Sequence, residues 1–284
     1  PTMNLTQRNA NPAKFYLVPP ADVSMVLGDV NIIKVYNRNN QLDLDGSSTG
    51  NTIEELTWSN GNQQLFLYKK GTGTWTINGD YDNSPNGAAR VQVQAGTLIV
   101  NGTWNPSHEF DVEGGTLGGT GTLSVAGGGA TEIVRVLTGT MAPGDPVGTL
   151  NIAEACDIDD TLLINIDDTQ SPKNGTLATV GALTITGATL DFNVTGTATA
   201  ASYTLATYPS GQLTGTFATT NNLPTGYEIN YGATEITITA ETTAPAPDAM
   251  TWSSVPAGLN ATKITMTATT ATDASGGVEY YFEN

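Results

Sequence analysis

The sequence predicts an all-β chain built mainly as a right-handed parallel β-helix, and three observations carry that prediction. No window of useful length repeats apolar residues at i, i+3, i+4 and i+7, and Gly or Pro interrupts nearly every candidate helix. Short alternating segments recur instead, among them Thr74-Trp75-Thr76-Ile77, Val91-Gln92-Val93-Gln94, Thr97-Leu98-Ile99-Val100, Thr122-Leu123-Ser124-Val125 and Leu183-Thr184-Ile185-Thr186. Runs of this length, bounded by Gly, Asn or Asp, read as strands. Third, a Gly-Thr-Leu or Gly-x-Leu step opens a strand at Gly96, Gly115, Gly121, Gly148, Gly175 and Gly181, and Gly-Ala-Thr-Leu follows at Gly187. The better copies lie roughly 20 to 27 residues apart, the length of one solenoid turn.

Composition agrees. Charged residues make up 13% of the chain, against roughly 25% for an ordinary domain. Hydrophobic residues, at 38%, also fall short of the usual ~45–50%. Gly, Thr, Ser and Asn fill the difference, so the chain needs a thin core spread along its length. A single turn cannot bury its inward Leu, Ile and Val; stacked turns at ~4.8 Å make the core continuous and pair the interior strands above and below. Leu98, Val100, Leu123, Val125, Leu150, Ile152, Leu183 and Ile185 are the expected inward positions.

The elements follow in order. Residues 1–60 carry no repeat and read as an extended arm (1–14) and a cap, with lead-in strands at Val30–Tyr36 and Gln41–Asp45. Residues 61–240 are the β-helix, with roughly eight turns expected between Leu65 and Ala240 at ~4.8 Å each. Residues 241–248, Glu241-Thr242-Thr243-Ala244-Pro245-Ala246-Pro247-Asp248, have the composition of a stiff linker. Residues 249–284 alternate again, in Lys263-Ile264-Thr265-Met266-Thr267 and Val278-Glu279-Tyr280-Tyr281-Phe282. They resemble the opening strands of a fibronectin-type-III-like or immunoglobulin-like module. About 40 residues fall short of the ~100 such a module needs, so the natural protein is expected to continue past Asn284. The start at Pro1 likewise implies processed or preceding sequence.

Within the helical stretch, Leu67-Tyr68-Lys69-Lys70-Gly71-Thr72-Gly73-Thr74-Trp75-Thr76-Ile77 followed by Ala95-Gly96-Thr97-Leu98-Ile99-Val100 resembles the autotransporter-associated β-strand repeat. A second match runs from Gly118-Gly119-Thr120-Gly121-Thr122-Leu123 to Met141-Ala142-Pro143-Gly144-Asp145-Pro146-Val147-Gly148-Thr149-Leu150. The stretch from Asp160 to Ala240 resembles the terminal region of such helices. The resemblance implies a passenger-type β-helix of a large bacterial surface protein. It speaks to architecture and names no chemistry.

Charge excludes some partners. With 27 acidic against 10 basic residues and a formal charge of −17, the chain suits neither nucleic acid nor an anionic membrane surface. No run approaches the ~20 apolar residues of a membrane-spanning helix. One cysteine, Cys156, permits no internal disulfide and has no His nearby to activate it.

Few residues suggest chemistry. A β-helix glycosidase needs two carboxylates facing each other. Asp43 with Asp45, and Asp157 with Asp159, share strand faces, but Arg8, Arg38, Arg90 and Arg135 are scattered and none is close in sequence to Asp157–Asp160. His108, the only histidine, reads as a loop residue. Asp157, Asp159 and Asp160 supply hard oxygens and form the candidate calcium site, and Asp167-Asp168-Thr169 is a second oxygen-rich loop. Thr-x-Thr steps are irregular along the chain and reflect strand propensity rather than an ice-binding array. Asn-Gly-Thr at Asn101 and Asn174 reads as turns.

The expected function is therefore an extracellular or cell-surface structural subunit of a bacterium, a stalk, filament or matrix component. It is expected to be non-enzymatic, without an organic cofactor, and to pair with copies of itself through Ile264, Met266, Tyr280, Tyr281 and Phe282 and through the arm at 1–14. An adhesin or glycan-binding helix is the alternative, using Trp58, Trp75, Trp104 and Tyr81 if they gather on an open face. A polysaccharide lyase or glycosidase is the remote third.

Overall fold

The structure is a computed structural model that describes residues 3–6, 13–33, 40–59, 65–82, 90–106, 108–125, 133–241, 251–260 and 262–272. All of its described regular structure is β: a parallel solenoid of about 7 turns and a two-stranded antiparallel sheet at the C-terminus. No helix long and apolar enough to cross a membrane occurs among the described residues.

Each central turn visits three ladders. Face A holds strands such as Leu65–Lys69, Arg90–Val93 and Cys156–Ile158; face B holds Thr74–Ile77, Thr97–Val100 and Thr161–Asp167; face C holds Thr103–Asn105, Gly148–Ile152 and Gly175–Thr179. Strand alternation decides what each column contains. On face A the inward column runs Phe15, Leu42, Leu67, Val91, Phe110, Val134, Cys156 and Leu183. On face B it runs Trp75, Leu98, Leu117, Met141, Leu162 and Leu190. All eight residues expected to point inward are buried. Strands Glu109–Gly119 and Val134–Pro143 bend across the A–B corner with a shifted register near Glu113.

The parallel ladder starts earlier than the boundary at residue 61. Met3–Thr6 pairs with Val30–Ile33, and Lys14–Leu17 pairs with Gln41–Leu44, in the same parallel sheet as the central turns. The first 60 residues lack the Gly-Thr-Leu step, yet Val26-Leu27-Gly28-Asp29-Val30-Asn31-Ile32-Ile33 supplies the inward residues that a ladder needs, with Leu27, Val30 and Ile32 buried. Residues 34–36 of the expected strand lie outside the described residues.

The other end closes differently. Ser202–Thr207 is the last parallel strand of face C, and Glu235–Ala240 then Tyr227–Tyr231 add to it antiparallel. This antiparallel pair covers one face without adding a turn; the whole solenoid has about 7 turns, against the roughly eight expected between Leu65 and Ala240 alone. Of the expected linker only Glu241 is described. Beyond it, Trp252–Asn260 pairs antiparallel with Lys263–Ala268.

Candidate functional site

The most organised polar surface is the outward side of face A. Its middle column reads Tyr16, Asp43, Tyr68, Gln92, Asp111, Arg135 and Asp157, one residue per rung. Each sits between two inward residues, apolar on both sides except at Tyr68, which Leu67 and Lys69 flank, so alternation alone sends it outward.

Arg135 grips Asp111 with two parallel bonds, Nε to Oδ1 at 2.9 Å and Nη2 to Oδ2 at 3.0 Å. Such a fork fixes both groups. The Asp111 hydrogen bond holds the Arg135 guanidinium above its ordinary range, with the Asp111, Glu109 and Asp157 charges adding to it. Arg90 pairs with Glu109 one rung along, and His108 Nδ1 lies 3.4 Å from Glu109. Gln92 Nε2 donates to Glu113 at 2.8 Å. Near the N-terminal end Asp43 is buried, and its carboxylate accepts from Gln41 Nε2 at 2.6 Å and Lys70 Nζ at 2.8 Å. These are matched pairs across neighbouring rungs, and they hold the outer surface of the ladder.

The expected site residues are distributed otherwise. Asp157 points outward above Arg135, and burial, then the Asp159 charge, pushes its carboxyl above the usual range, with Arg135 opposing. Asp160 is used by the corner, accepting from Gly139 N at 2.6 Å and Thr161 Oγ1 at 2.9 Å. Among the described residues no group of three His, Cys, Asp or Glu side chains is placed to hold a metal ion, so Asp157, Asp159 and Asp160 are not gathered into the calcium site anticipated for them. Asp45 likewise serves its own turn, accepting from Gly46 N at 2.7 Å. Asp168 accepts from Tyr203 Oη at 2.6 Å and from Thr199 N at 2.8 Å, and bonds to Thr199 and Tyr203 hold its carboxyl below the usual range. Cys156 is buried in the core column, and burial pushes its thiol far up, which suits an inert thiol.

The aromatics offered to a glycan are in the core. Trp75, Trp104 and Tyr81 are buried; Trp75 Nε1 donates to Asp45 O at 3.0 Å and Trp104 Nε1 to Gly79 O at 3.2 Å. Tyr81 and Trp104 pack at a 45° tilt as neighbours of face C, ring centroids 5.2 Å apart. Strand alternation turns them inward, Trp75 on face B and Trp104 with Tyr81 on face C. The Trp58 side chain lies outside the described residues.

Of the expected assembly residues, Ile264 is 66% exposed and Met266 45% exposed, and Val255 and Leu259 on the paired strand are also open. Tyr280, Tyr281 and Phe282 lie outside the described residues. Two features escaped the sequence reading: the Arg135–Asp111 fork and the buried Lys69. The signal for the fork was present, since Asp111 and Arg135 occupy equivalent apolar-charged-apolar triplets one turn apart. No protein-family model matches the chain, and no curated protein matches it in sequence.

Proposed function

We propose that this chain is a structural segment of an extracellular or cell-surface protein of a bacterium, acting as a stiff, non-catalytic spacer that associates with copies of itself. The observation that carries the reading is the continuous ladder, in which buried aromatics, ion pairs and corner carboxylates all serve the stacking of turns. A rod of hydrogen-bonded rungs resists bending without disulfides, which suits a chain with one cysteine. The autotransporter-type repeat is supported by register: Thr97 pairs with Thr116 and Thr149 with Thr176, so Gly-Thr-Leu steps align on faces B and C. The fibronectin-type-III-like reading of the C-terminal strands rests on their antiparallel pairing and alternation.

Self-association is assigned to the hairpin Trp252–Asn260 and Lys263–Ala268. A two-stranded hairpin is marginal in water, and its open apolar side chains gain by pairing with another sheet. Sedimentation velocity and negative-stain imaging test this on the whole chain. Oligomers growing with concentration are expected, and Ile264→Asp with Met266→Asp should return them to monomer while leaving the solenoid's circular dichroism unchanged. A wild-type chain that stays monomeric at the highest attainable concentration contradicts the self-association reading.

A further inference from the structure

We propose that the N-terminal half of face A is a binding strip for a neutral, extended polysaccharide. The strip is built on aromatic rings that the fold places outside. Tyr16 is 57% exposed, and Tyr68 lies in its column two rungs on, with Asp43 between. At ~4.8 Å per rung the two tyrosines stand ~9.6 Å apart along the solenoid axis. Phe66, two positions before Tyr68 on the same strand, points to the same side and is half-buried. The aliphatic residues of these strands, Leu42, Leu44, Leu65 and Leu67, are all turned into the core. The rings are therefore the apolar part of an otherwise polar outer surface.

The polar groups beside the rings are fixed. Asp43 holds Gln41 and Lys70, and Lys70 Nζ stands 4.9 Å from the Tyr68 ring centroid. Gln92, on the next rung, is anchored through Glu113. Aromatic rings meet the apolar C–H faces of pyranose units, while the Lys70 ammonium, a third exposed and held by the buried Asp43, can donate to hydroxyls at little entropic cost. Two outward rings of one column, two rungs apart along the axis, suit a chain whose units repeat along that axis.

Charge selects a neutral chain. Lys70 is already matched by Asp43, and Arg90 by Glu109. The whole chain carries −17, a field that repels polyanions. The strip is distinct from the C-terminal hairpin, so binding and self-association can fail separately.

The test is retention of the full chain on amorphous cellulose and chitin and its mobility shift in gels holding soluble mixed-linkage β-glucan, with polygalacturonate as anionic comparator, at low and high salt. Retention on at least one neutral β-linked glycan is expected, insensitive to salt. Tyr16→Ala should weaken it by about fivefold or more, Tyr68→Ala similarly, and Trp252→Ala on the hairpin not at all. Tyr16 is exposed enough that its loss does not threaten folding, so that variant decides the matter should Tyr68→Ala misfold. The proposal is overturned if no neutral glycan is retained, if Tyr16→Ala binds like wild type, or if only polygalacturonate binds and salt abolishes it.

Discussion

Lys69 shows what a single residue does in this core. It occupies an inward position between Leu44 and Val93, and the whole residue is 0% exposed. Its ammonium donates to three backbone carbonyls at the A–B corner, Lys70 O at 2.5 Å, Ala95 O at 2.9 Å and Gly71 O at 3.0 Å. A buried charge is tolerable only with partners of this kind. Desolvation lowers its pKa from 10.5 to about 8, with Asp45 pulling the other way. The folded value lies below the unfolded one, so between pH about 8 and 10.5 the unfolded chain holds more protons. Stability from this group therefore rises with pH across that window. Lys69→Met should flatten that rise, read as the difference between wild-type and variant urea midpoints at the two ends of the window. At neutral pH the variant leaves carbonyls without partners, a cost of about 1–3 kcal/mol. The inward position of Lys69 was legible in Leu65-Phe66-Leu67-Tyr68-Lys69, where alternation assigns it to the core. Its charge made that assignment easy to overlook, because only the folded corner aims the carbonyls of Lys70 and Gly71, and that of Ala95 one turn away, at its ammonium.

At the scale of the element, the corners and the columns determine each other. Thr74, Thr97, Thr116, Thr140, Thr161, Thr189 and Thr219 form one continuous outward column of face B, each paired with the next. The sequence reading took the threonine steps as irregular, and along the chain they are. Turns of unequal length bring them into register, and only the ladder shows it. The neighbouring positions, paired as Thr76, Ile99, Gly118 and Ala142 and then as Leu163 and Asp191, are mixed, so the threonines make a single file rather than a broad array.

The corner before the column depends on close backbone approach. Gly96 has φ +62°, and a Cβ there would meet Gly73 O at 2.4 Å, Gly71 O at 2.6 Å and Lys69 Nζ at 2.6 Å. Gly187 has φ +85° but nothing within 4 Å of its Cβ position. Gly187→Ala should cost only the left-handed backbone strain, about 1–2 kcal/mol. Gly96→Ala adds overpacking against backbone, about 1–3 kcal/mol more. Equilibrium denaturation of the two variants checks the ordering, and equal losses would mean that the corner is looser than described.

At the scale of the whole molecule, the Gly-Thr-Leu steps and short alternating strands made the solenoid legible from Leu65 onward, down to the residues that point inward. The N-terminal turns were not, because Lys14–Leu17 and Val26–Ile33 join the ladder without the repeat that marked the others. The place of the aromatics stayed open for a related reason: Trp75, Trp104 and Tyr81 are buried, the outcome expected of a structural unit, and no local pattern reports it. Tyr16, Phe66 and Tyr68, which do face out, alternate with leucines and lysine in strands that read simply as amphipathic.

The central claim is a rigid stack of parallel rungs, and spin-label distances along the threonine column test it most directly. In a Cys156→Ala background, cysteine pairs at Thr97 and Thr189, Thr97 and Thr219, and Thr74 and Thr219 stand four, five and six rungs apart. At ~4.8 Å per rung, pulsed electron resonance should give backbone separations near ~19, ~24 and ~29 Å, increasing by one rung each time. The distributions should be narrow. Broad distributions, or separations that do not grow with rung count, would contradict the stacked solenoid and the stiff spacer built on it.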